Sequence, residues 1–387
     1  MKKKSIITGT LALLLLLLMP MLAFAEEAGG GIDALVNKIF HTALGPFVSL
    51  IFFSVSINGV SFPLIVAWLL IAAVVLSIKF EFVQFRGVKH SIDLLRGVYE
   101  NPDNPGEVSH FQALCTALSG TVGLGNIAGV AVAVSLGGPG ATFWMIIAGL
   151  FGMAAKFTEC TLAVKYRNEY PDGTVSGGPM YYLSKGMSDK GKPGLGKAAG
   201  VFFAIMCIFG TLGGGNMFQG NQAHQMFSNT FGLFVGSGWL FGLILAILVG
   251  AVIIGGIKSI ARVTDKIVPF MAVLYVGTGA IILLVNIAQI PAAIGVVIAG
   301  AFSPTAITGG IVGVLIQGLK RAAFSNEAGV GSAAIAHAAV RTSEPLTEGY
   351  VAMLGPFIDT VIICTMTAMV IVITGAYNID GVSGVAL

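Results

Sequence analysis

The chain has 387 residues, of which 56% are hydrophobic and only 10% charged, against about 25% charged in a soluble domain. That balance excludes a soluble globular protein and assigns the chain to a lipid bilayer. The net charge of +3 acquires meaning only when spread over the spans, and no nucleic-acid partner is expected. The four cysteines, Cys115, Cys160, Cys207 and Cys364, lie far apart in apolar runs; they form neither a disulfide framework nor a CxxC metal spacing and read as small core residues.

At the N-terminus, Lys2, Lys3 and Lys4 precede the apolar run LALLLLLLMPMLAFA. This charged, hydrophobic, small-residue order is that of a secretory signal peptide over residues 1–25, the alternative being an uncleaved first helix. Residues 26–62 read as an extracytoplasmic segment, in which 36–60, broken by Pro46 and Gly59, is expected to be an interfacial helix.

Eight candidate spans follow, at roughly 63–79, 110–134, 141–165, 198–218, 238–257, 268–290, 308–338 and 349–375. Helices are the economical choice, because backbone groups facing lipid must be satisfied within their own segment and nothing alternates like a barrel strand. With the mature N-terminus outside, the inside segments 79–109, 165–197, 258–266 and 339–348 hold fourteen Lys and Arg residues, and the outside segments only Lys38. This is a decisive positive-inside bias for a multi-pass protein of the cell inner membrane.

Two spans are interrupted in corresponding ways. SGTVGLGNIAG, from Ser119, carries Gly120, Gly123, Gly125 and Gly129 with Thr121 and Asn126 among them; LKRAAFSNEAGVGSAAIA runs from Leu319 to Ala336. In an ordinary helix each glycine costs roughly 0.5 to 1 kcal/mol relative to alanine, so the cluster does not serve helix stability. Two glycine-interrupted, oppositely directed segments five spans apart point to an all-α inverted-repeat transporter with discontinuous helices and a site between them near the midplane. An unwound stretch there presents amides to a carboxylate and carbonyls to a desolvated Na⁺. Glycine supplies the dihedrals and the close approach, and Thr121 and Asn126 add side-chain oxygens. The helix at 63–79 is then extra, residues 110–290 form the first five-helix repeat, and residues 308–387 form a second repeat with two of its five spans, as expected of a C-terminally truncated chain.

Several long stretches carry a resemblance: SHFQALCTALSGTVGLGNIAGVAVAVSLGGPGATFWM, GGPMYYL at 177–183, GNMFQGNQ at 215–222, GGIKSIARVTDKIVPFMAV and FSNEAGVGSAAIAHAAV. Over essentially all of residues 32–387 the chain resembles the alanine or glycine:cation symporter family, sodium-coupled carriers of small amino acids. GLGN at 123–126 also resembles the first broken helix of the neurotransmitter:sodium symporters, whose five-plus-five inverted-repeat fold the family is understood to share. The resemblance implies inward symport of alanine or glycine with Na⁺ as the co-transported ion, by alternating access. It implies that the amides near Gly123, Leu124 and Gly125 hold the substrate carboxylate, that Thr121 and Asn126 lie beside the substrate, and that Gln219 reaches into the same pocket. Gln317, Phe324 and Ser325 would line it from the second broken helix, and the carbonyls of Ser119 and Val122, with Thr121 and Asn126, would serve a cation. Where the family's pattern has tryptophan this chain has Gln317, which bears on pocket size and substrate range.

Plainer readings stand beside these. Gly125 and Gly129 form a GxxxG packing motif; GLGNIAG has the wrong spacing for a nucleotide site and no strand before it. Lys156 and Glu159, at i and i+3, read as a local ion pair. Lys320, Arg321 and Glu327 border the second break and read as fixing its geometry or gating the inside, whereas Asp359 has no partner legible in the sequence. His41, His90, His110, His224 and His337 fall at span ends or in loops and read as interfacial. A proton-coupled carrier working through Glu159, Glu327 or Asp359 is the alternative; an ion channel or a membrane enzyme would need pore charge rings or a nucleophile–base pair, which are absent.

Overall fold

The computed structural model describes Thr42 and residues 53–57, 60–303 and 310–378; the expected signal peptide, most of the N-terminal segment and His41 lie outside the described residues. The chain divides into two compact units, residues 1–56 with 61–65, and residues 57–60 with 66–387. Of 36–60, expected to be an interfacial helix, the described residues are Thr42, which is helical, and 53–57 and 60, which hold strand β1 (Ser54–Ile57), hydrogen-bonded to β2 (Val60–Pro63). The β-branched alternation of SVSI and VSFP around Asn58-Gly59 favours a hairpin over a helix.

Among the described residues from 64 on, the named elements are helices apart from the small antiparallel pair β3 (Asn168–Glu169) and β4 (Val175–Ser176). Helix α1 covers Leu64–Lys79, and the short α2 (Val83–Arg86) and α3 (Val88–Leu95) follow it. The expected span 110–134 is two helices, α4 (His110–Thr121) and α5 (Ala128–Gly137). Ser109 starts α4 with a capping box, its hydroxyl accepting from the Gln112 amide while the Gln112 side chain accepts from the Ser109 amide. Helix α6 (Ala141–Lys165) matches its expected span; at about 1.5 Å per residue its 25 residues reach across a hydrocarbon core of about 30 Å.

Next come α7 (Pro179–Asp189), α8 (Pro193–Phe231) with a π-helical stretch at Thr211–Met217, α9 (Gly238–Ile253) and α10 (Gly256–Val285). Helix α10 begins twelve residues before its expected span: Lys258, Arg262 and Lys266, taken for loop residues, occupy its first turns, and Asp265 is engaged by Gln112 of α4 at 2.9 Å. Helix α11 (Ile287–Ala301) was not expected; its short apolar run with Pro291 near the start resembles a linker in sequence. The last expected spans are α12 (Gly310–Asn326) with α13 (Ser332–His337), and α14 (Pro345–Thr374), π-helical over Phe357–Cys364. Among the described residues four helices, α6, α8, α10 and α14, are long and apolar enough to cross a membrane, and α1, α5, α9 and α11 are shorter apolar helices.

Helix α6 is the post against which the site is built, packing on α12, α13, α14 and α11. Its small residues make this possible: a Cβ on Gly149 would stand 2.9 Å from the Thr360 side chain, and one on Gly152 3.1 Å from Ala328. At the end of α6, the buried Arg167 guanidinium donates to four carbonyls, Pro105 (2.7 Å), Ala338 (3.1 Å), Val340 (2.6 Å) and Thr342 (2.8 Å). It thereby sews the segment leading into α4 to the segment leaving α13. The same segments are bridged directly, Glu107 N to Ala339 O at 2.8 Å and Arg341 N to Val108 O at 2.8 Å.

Candidate functional site

Residues 122–127 are unwound between α4 and α5, Val122 being extended at φ −77° and ψ 100°. Here the reason for the glycines differs from expectation: Gly120, Gly123, Gly125 and Gly129 all avoid positive φ, so none is required by its dihedrals. What matters is approach. A Cβ on Gly125 would stand 3.5 Å from the Ser325 Cα and 3.6 Å from the Phe324 ring, so the first break lies directly against the end of α12. Two expectations follow for substitution. Gly125→Ala, in ordinary contact, is expected to bind ligand nearly normally; Gly125→Val, whose γ-methyls have no room, should abolish binding while membrane insertion, read by detergent-extracted yield, stays intact.

The break is held by Asn126, which is fully buried. Its Oδ1 accepts from the Gly123 amide (2.8 Å), and its Nδ2 donates to Asp359 Oδ1 (2.6 Å) and Ser325 Oγ (3.1 Å). The Asp359 carboxylate is also fully buried and receives two further hydroxyls on Oδ2, from Ser325 (2.6 Å) and Thr360 (2.9 Å). Tyr275 of α10 donates to Thr367 at 2.6 Å, and Thr367 donates to the Asn126 carbonyl at 2.9 Å. The first break, the end of α12 and the π-helical turn of α14 thus meet at one carboxylate. Asp359, without a partner in the sequence reading, has partners 34 and 233 residues away; an acid within an apolar span was the only signal available.

All three of these neighbours are neutral donors, and among the described residues no cation forms an ion pair with Asp359. The oxygens around it are its own carboxylate pair and two hydroxyls, hard donors that suit a small cation, and buried charge is tolerated only when compensated. Of the four residues expected to serve a cation, Asn126 belongs to this cluster. Ser119, Thr121 and Val122 do not: Ser119 is exposed and its hydroxyl turns back to the Thr116 carbonyl at 2.7 Å. The carbonyls of Ser119, Thr121 and Val122 and the amides of Leu124 and Gly125 nevertheless have no hydrogen-bond partner among the described residues. They are open backbone groups at or next to the break.

Two expected lining residues close over it. Gln219, just past the π-helical stretch of α8, lies beside Gly123, where a Cβ would stand 3.4 Å from its Oε1. Phe324 stands between Gly125 and Phe218, the two rings meeting edge-on at 5.9 Å. Gln317 does not join them. It packs on Gly137 at the far end of α5, and eight residues of helix, about 12 Å, separate it from Ser325.

The second break, 327–331, does use unusual dihedrals: φ is +52° at Glu327, +82° at Gly329 and +92° at Gly331. The buried pair Lys156–Glu159 (3.5 Å) fastens it to α6, Glu159 accepting from the Gly331 amide at 3.0 Å and Lys156 donating to the Glu327 carbonyl at 3.4 Å. The pair expected from local spacing is therefore also a clamp on the break, and Glu327 adds to it by accepting from Ser332. Lys320 and Arg321 are half-buried and form no ion pair among the described residues.

Two histidines correct the sequence reading. His110, the first residue of α4, and His337, the last of α13, are buried rather than interfacial, and both bond through Nδ1 to the buried Glu348 of α14, His110 at 2.5 Å. Glu348 supplies the buried acceptor that draws both rings inward. His224 bonds to the Phe234 carbonyl at 3.1 Å, and His90 lies tilted against Tyr99 and edge-on to Tyr350.

A family model described as the sodium:alanine symporter family matches residues 49–387. Sodium/alanine symporter AgcS of Methanococcus maripaludis is 44% identical over 322 residues, 83% of this chain and 70% of that protein. Two Bacillus subtilis proteins are similar, the probable sodium/glutamine symporter GlnT, 38% identical over 84% of this chain, and the putative sodium/proton-dependent alanine carrier YrbD, 37% identical over 86%. The chain spans 66% of the length of each of these two.

Proposed function

The chain belongs to the sodium:alanine symporter family, a family of transporters and not of enzymes, and from that premise we propose that it carries a small neutral amino acid, alanine or glycine, inward together with Na⁺ by alternating access. The observation that carries the reading is the junction at Asp359 of the first break, the end of α12 and the π-helical turn of α14, with the open amides of Leu124 and Gly125 in that same break. A substrate carboxylate accepts from those amides, at the start of α5 where the helix dipole favours an anion. Na⁺ takes the buried negative charge of Asp359, with Ser325 Oγ, Thr360 Oγ1 and the Asn126 amide oxygen, once that side chain rotates, as further ligands. Phe324 and Gln219 stand against Gly125 and Gly123 and would bound the substrate from that side.

The paired breaks support a five-plus-five inverted repeat in which the broken helix α4–α5 with α6, α8, α9 and α10 forms the first five-helix half and α12 opens the second. The fourteen-to-one distribution of basic residues supports a multi-pass inner-membrane protein with its mature N-terminus outside. Uptake of labelled alanine into proteoliposomes is the test: replacing Na⁺ by choline should collapse it, and unlabelled alanine inside should accelerate entry by exchange, as a carrier requires and a channel does not. Uptake that persists in choline and follows an imposed proton gradient would transfer the coupling to protons. YrbD carries a name of that kind, and with Glu159 and Glu327 already engaged by Lys156, Gly331 and Ser332, Asp359 would be the group to bear the proton.

A further inference from the structure

Outside the transport site, the end of α1 holds a polar cavity of about 410 Å³ lined by Lys79, Glu81, Arg86, His90 and Tyr350. We infer that this cavity binds the phosphate-bearing headgroup of an anionic phospholipid, at the membrane surface that the basic-residue distribution assigns to the inside.

The chain is bent sharply to make it. Glu81 and Phe82 are consecutive non-glycine residues in the left-handed region, at φ 51° and 56°, a conformation that L side chains rarely adopt and that persists where surrounding structure enforces it. The enforcing contacts are the Phe82 amide to the Ser77 carbonyl at 2.7 Å and the buried Gln84, whose Nε2 donates to Ser77 Oγ at 3.0 Å. On the opposite wall, Tyr350 lies on Gly87, edge-on to His90 at 5.0 Å, and its carbonyl accepts from Ser91 at 2.7 Å. The cavity is therefore preformed.

Its chemistry suits a phosphodiester. Lys79 forms no ion pair among the described residues, and Arg86 is paired only with Glu81, at 2.5 Å through Nη1, with 68% of its side chain exposed. The unused guanidinium N–H groups and the Lys79 ammonium provide converging donors for phosphate oxygens. The bend also projects Phe82 and Phe85, stacked at 6.4 Å and 43% and 60% exposed, beside those charges. Exposed rings next to cations at the end of an apolar helix fit the boundary between headgroups and acyl chains, and basic pockets at that level recognise anionic lipids. A free phosphate would use the two cations but would have no use for the two rings.

The test uses the purified protein in detergent, with phosphatidylglycerol and phosphatidylcholine as probes, read by retained lipid in native mass spectrometry and by the thermal unfolding midpoint. Phosphatidylglycerol should be retained and stabilising and phosphatidylcholine not. Lys79→Gln with Arg86→Gln should weaken phosphatidylglycerol binding roughly 30-fold, and Phe85→Ser, which leaves every charge in place, should weaken it as well. If the double variant fails to fold, Lys79→Gln alone, at an exposed side chain, should cost about fivefold. Millimolar inorganic phosphate should neither stabilise the protein nor displace the lipid. Equal binding of the two lipids, unchanged phosphatidylglycerol binding in the variants, or displacement by inorganic phosphate would overturn the assignment.

Discussion

Asp359→Asn is expected to eliminate the Na⁺-dependent rise in thermal stability while leaving the protein folded, and even slightly more stable when Na⁺ is absent. Asparagine has the shape of aspartate: its one oxygen accepts from Asn126, and its amide nitrogen donates to the Ser325 and Thr360 hydroxyls once these rotate, so the junction remains satisfied. What disappears is the single formal charge. In Na⁺-free buffer that charge is a liability, buried among neutral donors with no ion-pair partner among the described residues. With Na⁺ bound it becomes one half of a buried pair, and deleting one half of such a pair costs about 3 kcal/mol or more, at least roughly 100-fold in affinity. Unfolding midpoints compared in NaCl and choline chloride separate the two effects. A Na⁺-dependent shift of wild-type size in Asp359→Asn would place the cation elsewhere, with the open carbonyls of Ser119, Thr121 and Val122 as the next site to test.

The second large effect is expected at Glu348. Glu348→Ala removes the acceptor shared by His110 and His337, leaving two buried imidazole N–H groups without partners and a void between α4, α13 and α14. Stranded buried polar groups and a cavity together are expected to cost about 3 to 5 kcal/mol, read as a lowered unfolding midpoint in mixed micelles. Glu348→Gln should be milder. Its one oxygen accepts from one ring, and its amide donates to the other ring once that imidazole changes tautomer. Unfolding of Glu348→Ala at the wild-type midpoint would show that the cluster holds nothing together.

These two residues also mark where sequence reading ends. The breaks at 122–127 and 327–331 are local events announced by local composition, and spans such as 141–165 are set by an unbroken apolar run. Gln219, Phe324 and Ser325 came from a resemblance, and all three lie at the first break. Asp359 and Glu348 depend on partners up to 238 residues away, so nothing beside them in the chain distinguishes a junction from a stray acid. The histidines were misread because a span end usually lies at an interface, and only tertiary packing places His110 and His337 against a buried carboxylate. Gln317 stands apart from the others for a geometric reason: being on the same helix as Ser325 does not put it at the same depth. The beginning of α10 was hidden by its own charges, which a helix carries without difficulty when Asp265 finds Gln112 on the neighbouring helix.

The stitching around Arg167 has a mechanical meaning. The segments flanking α4 and α13 exchange backbone hydrogen bonds, share four carbonyls with one guanidinium, and are joined again at Glu348. For α4 to swing away alone, all of these bonds would have to open at once, several of them buried, each costing on the order of 1 to 3 kcal/mol. The half-helices α4 and α13 therefore behave as a yoke with one shared hinge axis rather than as two independent gates. Whatever pathway opens on that side must open by tilting the yoke as a piece, with flexure concentrated in the unwound residues 122–127 and 327–331, so that both ends of the binding site feel the movement at the same moment.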